Sequence, residues 1–309
     1  MEFVTPLNVA AAALALAPYL GVAFFGSAIK APARELPLWA QISAPALLSI
    51  PYMLVTLGAG MFRWGWLALY AALPVAIAVL LRRPASADDG AEHQADAQTE
   101  RRERGAGVGD WREFLILAVL GLAVDLRWFE PAWPAHLTIF NKVLLLDAGI
   151  FGFVLLRNLD GTGFDLRLHW RDITTGLREA AFCTPIALVA GLSLGFLHLH
   201  KAWPGLTPIG GAWIFTFFFI AVPEELFFRG WLQNLLERKV GRTAALFLTA
   251  MLFGLAHFNK RTTSFNWRYV LMAAIAGAFY GRAWRRDRRV GASAVTHATV
   301  DAIWSLWLR

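Results

Sequence analysis

The sequence predicts an all-α fold, a polytopic transmembrane helical bundle of about ten spans, N-out and C-out. Three observations carry that reading. The 309 residues are 57% hydrophobic and 17% charged, with 14 Trp and 23 Phe, which lies outside the range of soluble domains. The apolar residues fall in runs near the roughly 20 residues that a bilayer demands. The basic residues alternate from loop to loop, as the positive-inside rule requires of a chain that crosses repeatedly.

Uncharged runs occupy 3–29, 36–62, 64–81 and 180–199. The first lacks a basic lead-in and is longer than the roughly 7–15 apolar residues of a signal peptide, so it reads as a retained helix. The run 114–124 is short and ends in Asp125, and 137–156 contains Lys142 and Asp147. Further segments lie at 209–236, 243–258, 269–281 and 292–308. The lone Cys183 sits in an apolar run, where a core role is expected rather than thiol chemistry.

Net charge of +7 and a pI near 10 would suit a nucleic-acid partner if the basic residues shared one soluble face. They do not. Counting from an outside N-terminus, alternate loops hold 20 of the 29 Lys and Arg, among them Lys30, Arg34, Arg157, Arg171, Arg238, Lys239 and the group Arg282–Arg289. The opposite loops hold seven, and Lys142 and Arg229 lie inside spans. The charges therefore report topology, with the bilayer as partner and no nucleic acid.

Three helices in 1–81 form an N-terminal membrane module, followed by a polar cytoplasmic linker at 82–113 that is poor in large apolar residues and expected to be disordered. The remainder, 114–309, is expected to be one membrane domain. Within it, Trp170, Ile173 and Leu177 recur at helical spacing in 161–179 and predict a short helix on the membrane surface. Lys142 and Asp147 are five positions apart, a poor match for facing each other on a helix, so each is expected to cap or pair with a neighbouring helix.

Chemistry concentrates at Ala221-Val-Pro-Glu-Glu-Leu-Phe-Phe-Arg229, where two carboxylates and an arginine interrupt an apolar run. Ionisable residues in hydrocarbon cost several kcal/mol and usually face a polar cavity. Pro223 removes a helix hydrogen bond and predicts a kink that frees the Phe219 carbonyl. Glu225 and Arg229 are four apart, acid first, the order that favours an ion pair. Glu224 points about 100° away around the helix and is left to accept a proton. From the turn at 239–242, Glu224 lies 15 residues back and His257 15 residues on. An antiparallel pair therefore brings both to the same depth, roughly 22 Å from the turn. His297 and Asp301, four apart, share one face of the last helix.

Such a set suits hydrolysis. Glu224 can act as general base on a water held by His257, while His297 stabilises the developing oxyanion. The set Glu224, His257, His297 and Asp301 also makes a donor set for a divalent metal such as zinc, although no His-Glu-x-x-His motif or Cys cluster is present. Both alternatives stand at this level. Each motif alone is more often a solvated helix face or a hydrogen-bonded core histidine; it is their order and matched depth in apolar helices that favours function. A non-catalytic scaffold or bacteriocin-immunity protein would keep the pocket and work by binding, and a proton-coupled transporter would use Glu224 and Asp301 as relays, though no inverted repeat is visible. His198 and His200 lie beside Lys201 and Trp203 at an interface and are left outside the site.

Glu224-Glu225-x-x-x-Arg229, Phe253-x-x-x-His257 and His297-x-x-x-Asp301 together resemble the three signature motifs of the CPBP family, the CAAX proteases and bacteriocin-processing (Abi) enzymes. Ala276-Gly-Ala-Phe-Tyr-Gly-Arg282 also resembles the Gly-rich helix preceding the family's last motif, and the likeness covers 209–306. The resemblance implies an intramembrane endopeptidase, glutamate-type or metallo, acting on a membrane-embedded or lipidated peptide, with CAAX-type prenylation as one form. By motif match, Glu224 and His257 activate water, His297 and Asp301 form the oxyanion site, and Glu225 and Arg229 brace the first helix. It also implies an integral membrane protein, here of a bacterial plasma membrane. Many relatives carry Asn where this chain has Asp301, and an ionised carboxylate cannot donate the hydrogen bond an amide can. The basic-loop count sets the C-terminal end of the Glu224 helix at the cytoplasmic side, so the site is expected within the membrane and reached from the cytoplasm.

Overall fold

The computed structural model describes residues 5–82, 110–199, 205–260, 262 and 264–307. Most of the 82–113 linker, His200 and Lys201 lie outside these residues. Each apolar run forms helix. We number the helices α1 (Pro6–Glu35), α2 (Leu38–Gly58), α3 (Trp64–Leu81), α4 (Trp111–Asp125), α5 (Ala135–Leu156), α6 (Trp170–Ser193), α7 (Leu206–Val240), α8 (Arg242–Leu255), α9 (Trp267–Asp287) and α10 (Val290–Trp307). No strand occurs among the described residues. Five helices, α1, α2, α3, α5 and α7, are long and apolar enough to cross a bilayer, and α8 is apolar but shorter.

Local chemistry explains the breaks. Pro45 and Pro51 cannot donate to the helix ladder, and α2 tightens into a 3₁₀ turn over Ala44–Ser49, which contains Pro45 and precedes Pro51. Asp110 and Glu113 close a reciprocal capping box that starts α4. Gly241, at φ +79°, makes the one-residue turn between α7 and α8, a backbone region that side chains bearing a Cβ avoid.

Successive helices run between two ends of the bundle. At one end Arg34 donates to the Leu155 carbonyl, Arg157 pairs with Glu113 at 2.5 Å, and Arg288 reaches Glu237 at 2.6 Å. At the other, Tyr52 donates to the Arg63 carbonyl and Asn259 donates to the Asp125 carbonyl at 3.1 Å. One apolar core runs from Ala11 to Ala298, so α1–α3 pack directly on α5.

Two expectations are corrected. The short surface helix does not exist as a separate element: Trp170, Ile173 and Leu177 belong to α6, one helix of 24 residues. Its polar first turns are tolerated because Asp172 is buried against Arg289 at 2.8 Å and Glu179 against Arg178 at 2.7 Å. Nor does Asp147 pair as expected. It is buried, and neither carboxylate oxygen has a hydrogen-bond partner among the described residues, while Lys142 is exposed.

Candidate active site

Four helices, α7 to α10, carry the site. Small residues allow them to approach closely: a Cβ on Gly254 of α8 would run into α9, and one on Gly277 of α9 would meet Phe253 at 3.1 Å and the Arg229 Nη2 at 3.2 Å.

Around Pro223 the structure shows more than a kink. The helix widens to π turns over Phe217–Ala221 and Leu226–Gln233, leaving one α turn, Val222–Glu225, between them. Proline at 223 cannot bond the Phe219 carbonyl and its ring crowds it, so a wider turn relieves both problems. That single α turn presents Glu224 and Glu225 to different surroundings.

Glu225 is fully buried and saturated. Oε1 accepts from Arg229 Nη1 at 3.0 Å and lies 2.9 Å from His297 Nδ1, and Oε2 accepts from Ser293 Oγ. Arg229, also fully buried, donates Nη2 to the Gly277 carbonyl at 2.8 Å and lies over the Phe253 and Tyr280 rings, 4.6 and 5.4 Å from their centroids. Two desolvated charges here are held by each other and by fixed hydrogen bonds, the condition under which a buried pair is tolerated.

Glu224 differs in every respect. Its side chain is 36% exposed and its Oε2 is a buried atom with no hydrogen-bond partner among the described residues. The nearest charged neighbour given by the geometry is His297 Nε2 at 3.9 Å. Asp301 Oδ2 stands 3.5 Å from the same nitrogen. His297 is thus held at Nδ1 by Glu225 and presents Nε2 between Glu224 and Asp301. Its ring stacks on Tyr280, with centroids 4.5 Å apart and planes at 15°, and meets the Phe253 ring edge-on.

His257 joins through packing. Its Nδ1 lies 2.8 Å from the Phe253 carbonyl, which can only accept, so Nδ1 carries a proton. The ring stacks on Tyr269 at 5.3 Å and lies 4.9 Å from the Phe253 ring. Phe253 therefore touches both histidines. Glu224 and Asp301 each lie within 4 Å of His297 Nε2, while no hydrogen bond or ion pair ties His257 to them among the described residues.

Ser293, Tyr280 and Tyr269 were not singled out from the sequence. Ser293 had a readable signal, four residues before His297 and hence on the same face; Tyr280 lies within the Gly-rich stretch 276–282, and Tyr269 had no signal beyond lying in an apolar helix. Among the described residues no group of three or more His, Cys, Asp or Glu is arranged to hold a metal ion.

Residues 208–303 match the family model Rce1-like, described as Type II CAAX prenyl endopeptidase. The match agrees with the CPBP resemblance and contains every residue described above. No curated protein and no solved structure matches the chain. The segment 208–303 is thus similar to CAAX-type endopeptidases, and five helices are long and apolar enough to cross a bilayer.

Proposed function

We propose that the chain is an intramembrane endopeptidase that cleaves a membrane-embedded or lipidated peptide, in a bacterial plasma membrane, with Glu224 as general base. The observation that carries this reading is the contrast between two adjacent carboxylates, one saturated by Arg229, Ser293 and His297, the other partly exposed, 3.9 Å from His297 Nε2 and with no hydrogen bond to its Oε2 among the described residues.

In the reaction Glu224 takes a proton from a water whose second hydrogen is accepted by His257 Nε2. The hydroxide oxygen bonds to the scissile carbonyl carbon, and the carbonyl π electrons move to its oxygen. His297, its Nδ1–H committed to Glu225, offers a proton on Nε2 to that oxyanion. The tetrahedral carbon then expels the amine as Glu224 returns the proton to nitrogen, which releases a carboxylic acid and an amine. Asp301 acts through His297, 3.5 Å from Nε2, rather than on substrate, which removes the difficulty that a carboxylate cannot donate. General base catalysis of this kind is worth about 10²–10⁴-fold.

The test is cleavage of a membrane-peptide library by purified protein. Glu224→Gln and His257→Ala should each lower turnover by at least about 100-fold with the thermal unfolding midpoint unchanged, and chelator should leave turnover unaffected. Full turnover in either variant would sink the reading.

A further inference from the structure

We propose that Tyr19 of α1 is a positioning residue for Glu224: its hydroxyl supplies the hydrogen bond that Pro223 cannot make, and so fixes the wide turn that aims the carboxylate. The aiming rests on the protease reading; the replacement of the proline's missing donor rests on geometry alone.

Pro223 leaves one particular carbonyl short of a donor. Over Phe217–Ala221 the chain is π-helical, and the Val222 N–H donates to the Phe217 carbonyl, five residues back. Continued by one residue, that pattern pairs the Phe218 carbonyl with the nitrogen of Pro223, which carries no hydrogen. This is the carbonyl that α1 reaches: Tyr19 Oη donates to it at 2.9 Å. The α turn that follows, Val222–Glu225, is the one that presents Glu224.

The donor is held in place from outside α1. Tyr19 is fully buried, and its ring stacks on Phe164 with centroids 6.1 Å apart and planes at 15°. Two residues on, the Leu166 N–H donates to the Ala23 carbonyl at 3.0 Å, one helical turn beyond Tyr19. The loop between α5 and α6 thus grips α1 at two successive turns and fixes where the hydroxyl points.

Without that hydroxyl, the simplest way for the Phe218 carbonyl to regain a donor is to rewind. The Val222 N–H would move from Phe217 to Phe218, four residues back, and the π turn would become α. Such a change shifts the following residues by one helical position, about 100° around the axis. Glu224 would swing away from His297 Nε2, which lies 3.9 Å from it in the observed turn. Tyr19 stands outside 208–303, so the N-terminal module takes part in the site and is more than an anchor.

A double-mutant cycle between Tyr19→Phe and Pro223→Ala tests this. Tyr19→Phe keeps the ring and its stack and deletes the donor. Alone it should lower the unfolding midpoint in detergent by about 2–4 °C, and should lower kcat for a cleaved peptide by about 10–100-fold with KM unchanged. Pro223→Ala restores an N–H for the Phe218 carbonyl. In that background Tyr19→Phe should shift the midpoint by less than half as much and lower kcat no further. Equal midpoint shifts in the two backgrounds overturn the proposal, and so does an unchanged kcat in Tyr19→Phe. If Tyr19→Phe accumulates only together with Pro223→Ala, the coupling is established in its strongest form; if it accumulates in neither background, the proposal fails. Coupled midpoints in a protein that cleaves no peptide would count against the protease reading and leave the substitute hydrogen bond standing.

Discussion

The two halves of α7 behave as different kinds of helix. Leu206–Thr216 contains no buried residue, whereas from Leu226 to Leu235 the inward positions are completely covered. Glu224 and Glu225 stand at the junction, and each takes the character of one half. A carboxylate deep in the covered half can exist as an ion only if the structure supplies partners. At the edge of the open half the same group can remain unpaired, which is what a base needs. Adjacent identical residues thus acquire opposite duties from where the covering begins.

The sharpest way to break this comparison is Glu225→Ala. It strips Arg229 of its counter-ion and His297 and Ser293 of their acceptor, and leaving a buried charge unpaired costs about 3–5 kcal/mol. Glu224→Ala removes a partly exposed side chain whose Oε2 accepts no hydrogen bond among the described residues and whose ion pair with His297 is long, so its effect should stay within about 0.5 kcal/mol. Thermal unfolding in detergent of the two variants side by side measures the difference. Equal destabilisation would show that the junction is not where the structure draws it.

Gly277→Ala probes the same covered layer from α9, with a smaller effect. Alanine favours a helix interior by about 1 kcal/mol over glycine. Against this, the new Cβ would lie 3.1 Å from Phe253 Cδ1 and 3.2 Å from Arg229 Nη2, and that guanidinium is fixed by Glu225 and the Gly277 carbonyl and cannot withdraw. Overpacking of this kind costs about 1–3 kcal/mol. The net result should be a loss of about 1 kcal/mol, read from the unfolding midpoint; a gain would mean that the layer is looser than its burial implies.

How much of this was legible in the residues depends on whether the cause was local. Hydrophobic runs announced the helices, and α3 spans 64–81 as read. Pairs four apart on one helix, Glu225 with Arg229 and His297 near Asp301, follow from helix period alone. The bond from His297 to Glu225 does not, because it depends on how α10 is rotated against α7. Helix α6 was divided in two for a related reason: Asp172 and Glu179 look like surface residues until Arg289 arrives from elsewhere in the chain and the adjacent Arg178 folds onto Glu179. The π turns flanking Pro223 were half legible, since proline announces a defect and leaves its form to the packing.

The open half of α7 has a polar tie to the bundle that tests how open it is. Trp213 donates Nε1 to Thr299 Oγ1 on α10 at 3.2 Å and stacks on Phe217 with centroids 5.2 Å apart and planes at 14°. Trp213→Phe keeps a ring for the stack and deletes the donor. A net hydrogen bond is worth about 0.5–1.5 kcal/mol, and Thr299 can turn its hydroxyl to a carbonyl one turn back, so it is not left unsatisfied. The expected loss is therefore near the lower bound, about 0.5 kcal/mol. Trp213→Leu removes the stack as well and should cost a further 0.5–1.5 kcal/mol or so, the value of an aromatic pair beyond its area. Measured by the same unfolding assay, both should fall below Glu225→Ala. If Trp213→Phe alone costs more than about 2 kcal/mol, beyond the range of a neutral hydrogen bond, the first half of α7 is anchored rather than open. Glu224 would then lie inside the packed layer, and its freedom would need another cause.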